Sequence, residues 1–303
     1  MYRSLRVVLA LGVCALALPL FGATFADASS PPHCVVSLSP TATETLFAIG
    51  AGSQVQAVDT DSDYPKAGLP ATRINALNPS VESILGICKK TASYPTTKPD
   101  LVVISYDAND IQQKLTNLGV KVVDQDAPTT LAGAYAQIVQ LGTLTGHVSA
   151  AQRLVASLKR TVHADISSVP AHATKAVTVY YEIATDPYYS LTSGTFVGSM
   201  LKSLGVVNIA DGDATSADAG YPELSGEYIA SANPTLIFLA GDVSVASVAK
   251  RPGFKQISAV VNHHVVELDA DIASRWGPRL GILMNQLTAA VKAVVADQSR
   301  SQG

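Results

Sequence analysis

Two stretches of this chain repeat one phrase. Ser80-Val81-Glu82 leads to Lys98-Pro99-Asp100-Leu101-Val102-Val103, and Ser225-Gly226-Glu227 leads to Asn233-Pro234-Thr235-Leu236-Ile237-Phe238. Each copy places an acid near the start of a short helix. Proline, which has no N–H to continue a helix, then ends it before a buried apolar strand. A second echo lies upstream: Thr45-Leu46-Phe47-Ala48-Ile49-Gly50 precedes the strand-like Val55-Gln56-Ala57-Val58, as 196–205 precede Val206-Val207-Asn208-Ile209. Such a repeat implies two similar α/β lobes, each presenting one glutamate, Glu82 and Glu227.

The rest of the chain fits that frame. Cys34-Val35-Val36-Ser37-Leu38 reads as a short buried strand, and Ser39-Pro40-Thr41-Ala42-Thr43-Glu44 supplies a turn, a cap and an early helical acid. Further strands are expected near 55–58, 101–105 and 120–123, with a helix near 108–118. Strands alternating with helices imply a mainly parallel sheet covered on both faces. From 131 to 169 the apolar period becomes helical through Ala134, Ile138, Leu141, Leu144, Ala151, Leu154, Val155, Leu158 and Val162. Gly142 and Gly146 weaken its middle, so two helices are expected, the second long. The second lobe is predicted to hold strands near 176–181, 236–240 and 265–268 and a last helix from Pro278 to about 295, with loops at 183–193 and 211–222. The tail from Gln298 is expected to fray. The expected fold class is α/β: an N-terminal lobe at 29–130, a helical connector at 131–169 and a C-terminal lobe at 170–303.

Residues 1–28 read as a secretory leader, with Arg3 and Arg6, an apolar run at 7–21, and Ala26-Asp27-Ala28 as a small-residue cleavage site. A retained membrane anchor and lipid attachment at Cys14 are the alternatives; Val13 before the cysteine makes a poor lipid-attachment box. Without 1–28 the chain keeps 19 basic and 23 acidic residues, a net charge of −4 that argues against a nucleic-acid partner. Cys34 and Cys88 remain, and in an oxidising compartment they are expected to form a disulfide; buried free thiols are the alternative. Glu82 to Pro99 spans 17 residues but Glu227 to Pro234 only 7, so the first lobe carries a ten-residue insertion around 87–97. Cys88 lies in it, and the bridge would pin it beside the first strand.

Several landmarks resemble, in order over residues 34–295, the substrate-binding proteins of ABC importers for vitamin B12 and ferric siderophores, the helical-backbone group. They are Ser37-Leu38-Ser39-Pro40-Thr41-Ala42-Thr43-Glu44, Ser62-Asp63-Tyr64-Pro65, Glu82, Lys98-Pro99-Asp100-Leu101-Val102, Leu118-Gly119-Val120-Lys121-Val122, Thr192-Ser193-Gly194, Glu227 and Arg275-Trp276-Gly277-Pro278-Arg279. The chain resembles most the cobalamin-binding branch. The resemblance implies two lobes joined by a long helix, a ligand between them, and Glu82 and Glu227 pairing with arginines of a membrane permease. A carboxylate at an exposed helix start suits a bidentate arginine contact. Capping of their own helices is the alternative role for these glutamates.

Ligands of such sheets bind beyond the carboxyl ends of strands. The candidate ligand-binding residues are therefore Ser39, Thr41, Tyr64, Tyr106, Tyr188, Tyr189, Tyr221, Arg275, Trp276 and Arg279, an aromatic set suited to a large flat chelate. The bound ligand is expected to be cobalamin or an Fe(III)-siderophore, with no covalent cofactor; haem held through a tyrosine is an alternative. A structural ion pair is the competing role for Arg279. Where the cobalamin pattern has aromatics, this chain has Ala76-Leu77-Asn78 and Ile272, and Trp276 or Tyr106 are the candidate replacements.

The histidines His33, His147, His163, His172, His263 and His264 lack ligand-like helical spacing, so no bare-metal site is expected. No G-x-S-x-G elbow, P-loop or H-E-x-x-H helix occurs, and Ser39 has no evident histidine partner, so an enzyme is not expected. A non-importing receptor or enzyme on the same fold remains the alternative. The expected partners are an importer permease and a small-molecule metal chelate, and the protein is expected to be an exported monomer in the periplasm or on the outer face of the membrane.

Overall fold

Each repeated phrase becomes a helix followed by a strand of a parallel sheet, and the two sheets share one topology. The computed structural model describes residues 30–170, 174–215, 218–241 and 243–301. The expected leader at 1–28, with Cys14, and His172 lie outside the described residues.

The first lobe runs β1 (Val35–Leu38), α1 (Pro40–Ala48), β2 (Val55–Asp59), β3 (Arg73–Ile74), α2 (Val81–Leu85), β4 (Leu101–Ile104), α3 (Ile111–Asn117) and β5 (Lys121–Asp124). Its strands pair in parallel in the order β3-β2-β1-β4-β5. Both β1 and β4 are buried at every position, which is why β4 reads as an unbroken apolar run and β1 as one interrupted only by Ser37.

Next come the connector helices α4 (Leu131–Thr145) and α5 (Val148–Ser167). The second lobe follows with β6 (Thr178–Glu182), β7 (Ala184–Thr185), β8 (Tyr188–Tyr189), α6 (Phe196–Ser203), β9 (Val207–Asn208), β10 (Glu223–Leu224), α7 (Gly226–Ala232), β11 (Leu236–Leu239), α8 (Val245–Val248), α9 (Ser258–Val261), β12 (Val265–Glu267), α10 (Ala270–Ser274) and α11 (Leu280–Ser301). The parallel order β12-β11-β6-β9 repeats β5-β4-β1-β2. In both lobes the helix between the central strand and its neighbour, α1 or α6, is followed by a glycine with positive φ, Gly50 at 89° and Gly205 at 79°.

One apolar core crosses from lobe to lobe through the connector. It contains Val35 and Val103 of the first sheet, Val155 and Leu158 of α5, Tyr181 and Phe238 of the second sheet, and Leu283 of α11. The two connector helices meet closely: a Cβ at Gly142 would lie 2.4 Å from that of Ala151. The break between them falls at Gly146, which is left-handed at φ 78°. A spine packed on both lobes resists wide hinge bending.

The insertion is held as expected. Cys34 and Cys88 form a disulfide with Cα atoms 6.0 Å apart, and Cys88 N–H donates to the Thr97 carbonyl at 3.1 Å.

Several expectations are corrected. Proline ends the helix only in the second copy, where Asn233 caps α7 ahead of Pro234; α2 stops at Leu85, long before Pro99, because the insertion begins there. The helix expected over 108–118 starts as a 3-10 turn, since Asn109 and Asp110 adopt φ of 58° and 54°, and α3 begins at Ile111. The tail does not fray at Gln298: α11 continues to Ser301, with Arg300 paired to Asp297 and the Gln298 amide donating to the Ala176 carbonyl at 3.3 Å. The loop at 183–193 holds two strands, β7 and β8, of a small antiparallel sheet completed by β10 just after the 211–222 loop; these two-residue strands are too short to show a period.

Candidate functional site

A cleft of about 220 Å³ opens at the carboxyl end of β6. Tyr181 and Ile183 wall it from that strand end, Thr195, Phe196 and Val197 from the start of α6, Ala240 from the end of β11, and Ala273, Ser274 and Trp276 from α10 and the turn after it. Ala127, beyond β5, brings the first lobe to the wall, and Leu191 and Tyr221 complete it. Among the described residues no wall residue is charged.

Of the residues singled out from sequence, Trp276 and Tyr221 line this cleft. The Trp276 indole N–H donates to Gln137 Oε1 on α4 at 2.7 Å, which fixes the ring. Tyr64 and Tyr106 follow the carboxyl ends of β2 and β4 and are exposed, Tyr106 by 66%. Tyr189 is exposed as well. Its neighbour Tyr188 packs with Phe254, ring centroids 5.7 Å apart, in a separate core around Ile229 and Leu239.

Ser39, Thr41, Arg275 and Arg279, expected to face ligand, belong to the frame beneath. Ser39 is buried as the N-cap of α1, its hydroxyl accepting from Ala42 N–H, and the Thr41 carbonyl accepts from the Thr45 hydroxyl at 2.9 Å. Arg275 Nη1 donates to Glu44 Oε1 and to Asp63 Oδ1, both at 2.8 Å, and Nη2 donates to Asp271 at 2.6 Å and to the Asp61 carbonyl at 3.0 Å. Arg279 grips both oxygens of Glu44, at 2.6 and 2.9 Å, while its guanidinium lies 4.6 Å above the Tyr64 ring. The Arg279 pairing is the structural ion pair held open above.

Electrostatics follow from these contacts. Burial alone would make Arg275 easier to deprotonate, but its hydrogen bonds to Glu44 and Asp63 outweigh this and raise its pKa. For Arg279 the Glu44 hydrogen bond is the leading cause of a raised pKa. Asp63 is held far below the usual carboxylate range by its hydrogen bond to Lys66, and by Arg275 against partial burial. Burial raises the pKa of Tyr221.

Glu44 was legible only as an early helical acid, yet it is the counter-ion of both arginines. The available signal was its place inside a buried run, Thr41 to Leu46, where an unpaired carboxylate would be very costly. The wall residues Ile183, Leu191, Phe196, Val197, Ala240 and Ala273 gave no signal, since an apolar cleft wall and a core look alike in sequence.

Glu82 and Glu227 sit at equivalent places, in the first turns of α2 and α7 ahead of β4 and β11, and both are exposed. Glu82 accepts from the Ser80 hydroxyl at 2.9 Å; its own backbone N–H and that hydroxyl lower its pKa. Glu227 borders a depression with Tyr188, Gly226, Ala230, Pro252 and Gly253. Among the described residues no group of three or more His, Cys, Asp or Glu side chains could hold a metal ion.

Residues 35–272 match the family described as periplasmic binding protein. The chain is 30% identical over 276 residues to an uncharacterized ABC transporter substrate-binding lipoprotein of Bacillus subtilis, covering 86% of this chain and 82% of the relative. It is 28% identical over 263 residues to a vitamin B12-binding protein of Pectobacterium atrosepticum, covering 84% and 87%. The fold is similar, with a TM-score of 0.73 and 29% identity, to the crystal structure of a possible iron-binding, periplasmic solute-binding protein of Staphylococcus epidermidis, covering 86% of this chain and 99% of that one.

Proposed function

Since this chain belongs to the periplasmic binding protein family, we propose that it is the extracytoplasmic solute-binding protein of an ABC importer and delivers a metal chelate, cobalamin or a ferric siderophore, to the membrane permease. The observation that carries this reading is the uncharged, aromatic cleft at the strand ends, with Ala127 of the first lobe facing Trp276 and Tyr221. A cavity of about 220 Å³ takes an edge of such a chelate, and the aromatic rings of Trp276 and Tyr221 in its wall suit a flat ligand. The similarity to a vitamin B12-binding protein supports cobalamin as the first ligand to try.

Glu82 and Glu227 are the proposed docking points, one per lobe, each free to accept an arginine fork from the permease. The ligand is carried without a covalent cofactor, by a monomer, in the periplasm or at the outer face of the membrane. Titration with cyanocobalamin, haem and ferric siderophores tests the reading, because Trp276 is the only tryptophan and lines the cleft. Saturable fluorescence change with one of them is expected; none with any would overturn it.

A further inference from the structure

Tyr180 and Tyr181 are adjacent on β6, both buried, and they serve opposite faces of the second sheet. Tyr180 packs in the core around Phe254, while Tyr181 lines the cleft. Neither tyrosine hydroxyl has a hydrogen-bond partner among the described residues, but only Tyr181, 1% exposed, has its side chain on the cleft wall. A buried phenol at full desolvation cost is rare in native interiors. Placed in a wall whose other described residues carry no charge, it points to a ligand.

The charge around it narrows the chemistry of that ligand. Among the described residues no wall residue is charged, and the nearest cations in sequence to Trp276, Arg275 and Arg279, are both occupied by carboxylates. Nothing here would neutralise an anionic group on the ligand or draw the proton from the phenol. Burial pushes the Tyr181 pKa far upward, so the hydroxyl acts as a neutral donor and not as a tyrosinate.

We propose that Tyr181 is a specificity-determining donor, giving its O–H to an uncharged amide or carbonyl oxygen on the ligand edge that enters the cleft. The inference rests on the chelate-binding reading above and adds the ligand's polar chemistry to it. The hydroxyl has no exposed surface of its own, so the proposal requires wall side chains to shift when the ligand enters. Tyr221, 44% exposed, is the least buried aromatic there.

The test titrates the protein, Tyr181→Phe and the control Tyr180→Phe with cyanocobalamin, whose periphery carries amides, and with haem, whose edge carries carboxylates. Expected is about tenfold weaker cyanocobalamin binding in Tyr181→Phe, the size of one neutral hydrogen bond, with Tyr180→Phe unchanged. The unfolding midpoint of Tyr181→Phe should not fall, because an unpaired buried hydroxyl is removed. Equal cyanocobalamin affinities overturn the proposal, as does a lowered midpoint, which would reveal a partner inside the protein. A tyrosinate–iron band on haem binding that Tyr181→Phe loses also overturns it, in favour of metal ligation. If the unaltered protein binds neither compound nor any ferric siderophore, the chelate reading itself falls and takes this inference with it.

Discussion

Glu44 and Arg275, 231 positions apart in the chain, form an ion pair 2.8 Å long with side-chain exposures of 1% and 6%. It ties α1 of the first lobe to the turn that carries Trp276. Arg279 closes on the same carboxylate, so one acid holds two guanidiniums that flank Trp276 in the chain.

Removing that acid leaves two cations without their shared buried partner. Glu44→Gln should therefore destabilise the protein by about 3 kcal/mol, the lower range for breaking a buried pair from one side. Urea unfolding measures it, and a loss under about 1 kcal/mol would show that Asp63 and Asp271 suffice as counter-ions.

Asp63 gives the network a pH dependence. Its folded pKa is depressed, by Lys66 first and then by Arg275, so the folded state binds the proton less readily than the unfolded one. Its contribution is complete above the unfolded value near pH ~4 and is lost as pH falls toward the folded one. The stability difference between the protein and Asp63→Asn should be steady at neutral pH and shrink in acid. A difference that grows as pH falls would contradict the assignment.

The bridge between Cys34 and Cys88 closes a loop of 54 residues. Replacing both cysteines with serine should cost about 4 kcal/mol in the chain-entropy account. Mass spectrometry without reductant should recover the peptides linked, and calorimetry of the double variant reads the loss. An unchanged unfolding temperature would mean that the packing of the insertion, including the His33–Tyr94 ring contact, holds it alone.

For docking, the double variant Glu82→Ala, Glu227→Ala should bind ligand as before yet fail to stimulate the ATPase of its reconstituted importer. Each side chain is exposed and neither lines the cleft. Undiminished stimulation would remove both residues from the interface.

The repeated phrase determined much of the fold. The shared strand orders β2-β1-β4 and β9-β6-β11 came from the structure, but the phrase gave two helix–strand units, and with the echo before them it implied two similar α/β lobes. Such features are legible because they depend on neighbours in the chain: strand runs buried on both faces, glycine after α1 and α6, and a period of 3.6 through α4 and α5. The disulfide was legible too, since only two cysteines follow the expected leader.

Tertiary structure decided what the site is made of. Arg275 and Arg279 look the same in sequence whether they face a ligand or a carboxylate, and only the approach of α1 to the turn before α11 brings Glu44 to them. Tyr180 and Tyr181 are likewise equivalent as letters. The pleat of β6 sends Tyr180 into a closed core and Tyr181 to the cleft wall. Burial and charge pairing are properties of what surrounds a side chain, and for Arg275 and Arg279 the decisive neighbour, Glu44, lies more than two hundred residues away.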